Sequence, residues 1–163
     1  MKKLLLASAT ASVLLVGCAG PSIQPPSAYS TDHGEIYSAD FDRVWENTVD
    51  WFAVNNIPIK NIEKDSGIIG SEYALGSDYS QVDCGQVDPG DMHILTDQTV
   101  VANINVLVRQ SGSGATVQPN VFGQGSFQLH DVWNNRPTSI KADRCVSTGE
   151  LEQDLHNYLR ANL

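Results

Sequence analysis

The chain of 163 residues is short of positive charge: 10 Lys and Arg stand against 19 Asp and Glu, a formal net charge of −9. Nucleic-acid binding draws on many lysine and arginine contacts to phosphate, so this balance argues against a nucleic-acid partner. Cysteine is scarce, at 3 residues, which excludes a small scaffold held together mainly by disulfides. No apolar run reaches the ~20 residues of a membrane-spanning helix. Charged residues are only 18% of the chain and hydrophobic residues 41%. That is apolar enough for a packed core and excludes a wholly disordered chain. The length suits one domain of ordinary size.

The N-terminus carries a targeting pattern. Met1, Lys2 and Lys3 give a positive start, and Leu4 to Val16 form an apolar run softened by Ser8, Thr10 and Ser12. This is the charged region and apolar region of a secretory signal. Leu15-Val16-Gly17-Cys18 follows at once and resembles the lipobox of bacterial lipoproteins. The resemblance implies cleavage before Cys18, diacylglycerol on its thiol and acylation of the new amine. Without residues 1–17, eight basic residues face nineteen acidic ones, a balance of −11. Such a chain has no electrostatic attraction to anionic lipid, so its acyl chains alone hold it to a membrane. Ala19 stands where an Asp would resemble an inner-membrane retention signal. The expected location is therefore the periplasmic face of the outer membrane.

Residues 18–37 read as the lipidated Cys and a flexible tether. Pro21, Pro25 and Pro26 forbid a helix there. About 18 such residues reach at most about 60 Å. Residues 38–163 read as a single domain. Phe41, Val44, Trp45, Thr48 and Phe52 recur on one helical stripe, and Asn55, Asn56 and Pro58 end the helix. Ile57–Glu63 and Ile68–Leu75 read as strands joined through Lys64-Asp65-Ser66-Gly67, with Gly67 free to take positive φ. Residues 76–97 read as a long polar loop or broken strand. Thr99–Arg109 alternates apolar and polar side chains, the mark of a half-buried antiparallel strand. Ser111–Gly114 makes a hairpin. The return through Ala115–Leu129 is interrupted by Pro119, Gly123 and Gly125, which suggests a bulged or edge strand. Ser147-Thr148-Gly149-Glu150 fits a capping box for a last helix to Asn162, with Leu151, Leu155, Tyr158 and Leu159 apolar. The expected class is α+β, a curved antiparallel sheet with an N-terminal and a C-terminal helix on one face.

Ala39-Asp40-Phe41-Asp42-Arg43-Val44-Trp45, Ile57–Glu63 and Asp65-Ser66-Gly67-Ile68-Ile69-Gly70-Ser71-Glu72 together resemble the domain of BamC-like (NlpB-type) lipoproteins. That resemblance covers residues 38–75 and implies a helix-grip-like fold and a role near outer-membrane assembly. BamC has two such domains and a long N-terminal segment. This chain has one domain and a short tether, and adds a Cys pair. Arg144–Glu152 also resembles small lipoproteins of this general kind.

With Cys18 lipidated, Cys84 and Cys145 remain, and an even pair in an oxidising compartment reads as a disulfide. The rival reading is a catalytic thiol with His93 or His130 as base. Asp83 beside Cys84 would raise a thiol pKa, which disfavours it. Asp78, Asp83, Asp88, Asp91 and Asp97 lack the alternation of an EF-hand and read as solvated loop charge. His33, His93, His130 and His156 lack zinc-ligand spacing, and Gly112 and Gly114 lack the helix and Lys of a phosphate loop. No cofactor, metal or catalytic set is expected. His130-Asp131-Val132-Trp133 is a polar-aromatic knot in a loop, with His130 and Trp133 as a candidate binding surface. Core packing is the first expectation for Trp133.

These features point to a non-enzymatic interaction module that binds an envelope protein or complex. The alternative is a carrier or sensor holding an apolar ligand between helix and sheet, against Trp45, Trp51 and Phe52. A periplasmic hydrolase has no residues to support it.

Overall fold

A computed structural model describes residues 20–27, 34–75 and 80–163, with the backbone alone for 72–75. The signal-like segment 1–17, Cys18, His33 and Asp78 lie outside the described residues. In chain order the elements are β1 (Ser22–Gln24), β2 (Glu35–Tyr37), α1 (Phe41–Val54), β3 (Ile59–Glu63), β4 (Ile68–Leu75), β5 (Val82–Asp83), β6 (Gln86–Asp88), β7 (His93–Ser111), β8 (Gly114–Asp131), β9 (Arg136–Ser147) and α2 (Glu150–Asn162). The class is α+β, as expected. Among the described residues no helix is long and apolar enough to cross a membrane.

The first helix begins where Asp40 accepts a hydrogen bond from the Arg43 amide at 3.1 Å, capping an otherwise unpaired N–H. It ends at Asn55 and Asn56, the latter left-handed at φ 55°. Val44, Trp45, Thr48, Trp51 and Phe52 are buried along one face. The Thr48 hydroxyl satisfies itself on the Val44 carbonyl at 2.8 Å. The Trp51 indole donates to Asp154 at 2.9 Å and so ties α1 to α2.

Six strands run in the order β3-β4-β7-β8-β9-β5, every pairing antiparallel, and β2 joins as a seventh strand. Ala102, Ile104, Val106 and Val108 of β7 share a face with Ala115, Val117 and Val121 of β8, and all are buried. They form one cluster with Val44, Trp45, Trp51 and Phe52 of α1 and Leu151, Leu155 and Leu159 of α2. Both helices therefore lie on that face. The β3–β4 turn is as the sequence predicts. Gly67 has φ 63°, and a Cβ there would strike the Val108 carbonyl.

Three expectations change, and one strand is added. The stretch 76–97 is not simply loop: it holds β5 and β6, and β7 already begins at His93. The interrupted return strand is bulged but not an edge. It pairs β7 along its length on one side and β2 and β9 on the other. Pro119 falls in the gap between the partners of β2 and those of β9, where β8 has fewest ladder bonds to lose. Arg136–Ser147, which has no clear alternation, is a twelve-residue strand. The capping box does not form. Ser147 ends β9 and accepts from the Gly149 amide at 3.0 Å, while Gly149 itself caps α2 at φ 89°.

The stretch read as a tether contributes two strands. β2 pairs with β8 and buries Tyr37. β1 pairs with β6 in a separate two-stranded unit. A Cβ on Gly85 would meet the Gln24 carbonyl, so this residue lets β1 approach beside the disulfide.

Candidate functional site

Cys84 and Cys145 form a disulfide with their Cα atoms 4.0 Å apart. It continues the β5–β9 pairing, in which Val82 faces Ser147 and Asp83 faces Val146. One glycine of β8 makes room for it. A Cβ on Gly125 would lie 3.1 Å from the Cys84 Sγ and 3.0 Å from the Phe127 ring, whereas one on Gly123 would press on the Val101 carbonyl at 2.9 Å and Val82 at 3.3 Å. Gly125, one of the interruptions in the β8 sequence, is thus part of the seat of the bridge. A bonded Cys84 has no thiol, so the thiol-nucleophile alternative does not apply.

β4 is described to Leu75, opposite Val100. Beyond that point three strands continue as an arm: His93–Thr99, Ser126–Asp131 and Arg136–Lys141. Seven residues at ~3.4 Å give it about 24 Å. Phe127 and Leu129 on one face of the arm are buried. The two edges of the arm differ in chemistry. β9 presents Arg136, Pro137 and Lys141, residues that discourage another strand from pairing. β7 presents Ile94 and Leu95, 53% and 44% exposed. From His93 to Asp97 it has no strand partner on the side away from β8 among the described residues.

The end of the arm is built from the β8–β9 turn and the residue preceding β7, joined where the Val132 amide donates to the Met92 carbonyl at 2.9 Å. Asp131 organises the turn. Its carboxylate accepts from the Trp133 and Asn134 amides at 2.9 and 3.0 Å and from the Asn134 side chain at 2.7 Å. Those bonds, the Asn134 backbone first, hold the Asp131 carboxyl below the ordinary carboxylate range, with His93 a smaller contribution. Asn135, at φ 51°, closes the turn with its side chain 3.0 Å from the His130 ring. Trp133 is 78% exposed, not a core residue. A loop amide network, not an apolar pocket, surrounds it. Of the residues singled out in the sequence, His93, His130 and Trp133 are brought to this one end.

The aspartates do not converge. Asp83 caps the Gly85 amide, Asp88 the Gly90 amide and Asp97 the Gln98 amide. Among the described residues no group of three or more His, Cys, Asp or Glu could hold a metal ion. Trp51 and Phe52 meet edge to face with centroids 5.1 Å apart, and both belong to the core with Trp45.

Sequence reasoning missed a polar group under α2. Glu152 and His156 are buried one turn apart. The His156 Nδ1 lies 2.7 Å from the Tyr37 hydroxyl. Burial, then the negative Glu35, pushes the Tyr37 phenol upward. Both Glu152 oxygens are buried without a hydrogen-bond partner. The signal was weak but present, since each residue follows a stripe leucine by one position. Glu35 in turn receives two hydrogen bonds from Arg160, at 2.8 and 2.9 Å, and so fastens β2 to α2.

The architecture defines an α+β domain with two helices on one face of an antiparallel sheet and a three-stranded arm beyond them. No family model matches the chain, and no curated protein matches it.

Proposed function

We propose that the chain is a lipid-anchored, non-enzymatic interaction module on the periplasmic face of the outer membrane. It serves an envelope protein or complex. The lipobox-like Leu15–Cys18 supports the anchor. The likeness of residues 38–75 to BamC-like domains, with their helix-grip-like fold, supports a place near outer-membrane assembly. The observation that carries the reading is the β7 edge of the arm. A strand edge that has no partner among the described residues and carries exposed apolar side chains suits an extended segment of another chain joining by strand addition, with main-chain hydrogen bonds giving affinity. Here Ile94 and Leu95 supply the apolar contacts.

The test is affinity purification from crosslinked membranes at native abundance, comparing the natural chain with an Ile94→Lys, Leu95→Lys variant. A protein recovered with the first and lost with the second supports the reading. Recovery of the chain alone, or recovery unaffected by both substitutions, overturns it.

A further inference from the structure

We infer that the end of the arm is a second membrane contact, seated on the same lipid surface that holds the Cys18 acyl chains. The inference rests on the lipid-anchor reading above.

β1 runs antiparallel to β6, so Ser22 faces Asp88 and Gln24 faces Gln86. The β1 end nearest Cys18 is therefore the β6 end nearest the arm tip. Cys18 is four positions from Ser22, and Asp88 four positions from Met92. Each stretch spans at most ~14 Å. A chain held to lipid at Cys18 thus has the arm tip within reach of the same surface.

The tip has the chemistry to meet lipid there. Met92, Val132 and Trp133 are 38%, 53% and 78% exposed on two adjoining chain segments. Tryptophan suits a membrane interface, because its ring is apolar and its N–H is polar. The Asp131 network presents the ring from a preformed turn, so little ordering accompanies insertion. Three side chains would not hold a free protein on a bilayer. With an anchor at hand they need not, since tethering makes the second contact intramolecular. Charge does not assist: from Cys18 onward the balance is −11. The contact is apolar and suits zwitterionic lipid.

Trp133 also reports on its own position, because Trp45 and Trp51, the other two tryptophans, are 5% and 0% exposed. The experiment uses the full chain on phosphatidylcholine vesicles with brominated acyl chains. Its own acylation holds it there. Where intact mass shows Cys18 unmodified, that thiol, free because Cys84 and Cys145 are bonded, is coupled to a maleimide lipid. The mass decides the anchor, and the quenching decides the tip. Bromine is expected to quench an emission component that Trp133→Phe removes, and iodide in the water loses access to the same component. Val132→Asp abolishes the bromine quenching and restores iodide access, with the emission of Trp45 and Trp51 unchanged. Trp133 emission unaffected by bromine and open to iodide overturns the proposal. So does Trp133 shielded from iodide yet not quenched by bromine, which assigns the tip to a protein partner or a second copy.

Discussion

The long β7–β8 hairpin passes through two environments. From Val100 to Val108, and from Ala115 to Val121, its inward side chains lie under α1 and α2 in one apolar cluster. From His93 to Thr99, and from Ser126 to Asp131, the same strands run on without a helix over them, and polar residues outnumber apolar ones. Backbone pairing is continuous through both halves, apart from the irregularity between Leu95 and Asp97. Strand formation here follows the ladder to its end: β7 has lost its alternation before Thr99, while β8 keeps it through Phe127 and Leu129. The helix-covered half holds the domain together, and the arm is free to carry the contacts.

The sharpest division is in stability. Phe52→Ala opens a cavity in the covered half and is expected to cost about 3–5 kcal/mol. Denaturant unfolding followed by helix signal measures it. A loss below 1 kcal/mol would mean that the helices do not carry the fold. Cys84→Ser with Cys145→Ser releases a connection across 61 positions and is expected to cost about 4 kcal/mol in the chain-entropy model. Hydrogen exchange should then show β5 and β9 amides losing protection before Ile104 and Val106 do. Simultaneous loss would erase the proposed independence of the two halves.

Gly125 lies where the halves meet. Gly125→Ala drives a Cβ toward the Phe127 ring and the bridge and should cost about 1–3 kcal/mol. The matching change in the covered half is Glu152→Met. It removes a buried carboxylate without a partner and is expected to raise stability by about 1–2 kcal/mol. A destabilised variant would show that Glu152 is held by an interaction and is not merely buried. The smallest effect is local. Asp131 has a lowered pKa, so its contribution is complete above the ordinary carboxylate value of 3.8. It is lost as pH falls through the lower folded value. Trp133 emission should shift in that acid range while Trp45 and Trp51 do not respond. A pH-independent Trp133 would remove Asp131 as the organiser of the turn.

Much of the covered half was legible because its signals are local. The stripe from Val44 to Phe52, the turn at Gly67, the hairpin at Gly112 and the alternation after Thr99 each sit within one or two turns of chain. The arm was poorly legible. Arg136–Ser147 carries Pro, Arg, Lys and Asp because one edge meets water, which hides the period-two pattern of a strand. Gly123 and Gly125 looked like breaks in a strand because the groups that need their space, Val101 and Val82 for the first and Phe127 and the disulfide for the second, are not adjacent in sequence. Of the candidate site, Trp133 and His130 were visible as residue types, but a tryptophan in a loop packs inward or stands outward with the same local sequence.

By itself the sequence determined the helices, the early hairpin, the paired cysteines and the lipobox-like start, since propensity, periodicity and short motifs act over a few residues. Tertiary structure decided that β1 runs beside β6, that β8 is central, that Glu152 and His156 are buried and that Trp133 faces water. Those outcomes depend on which distant segments cover a surface, and no local pattern encodes which neighbour excludes the solvent.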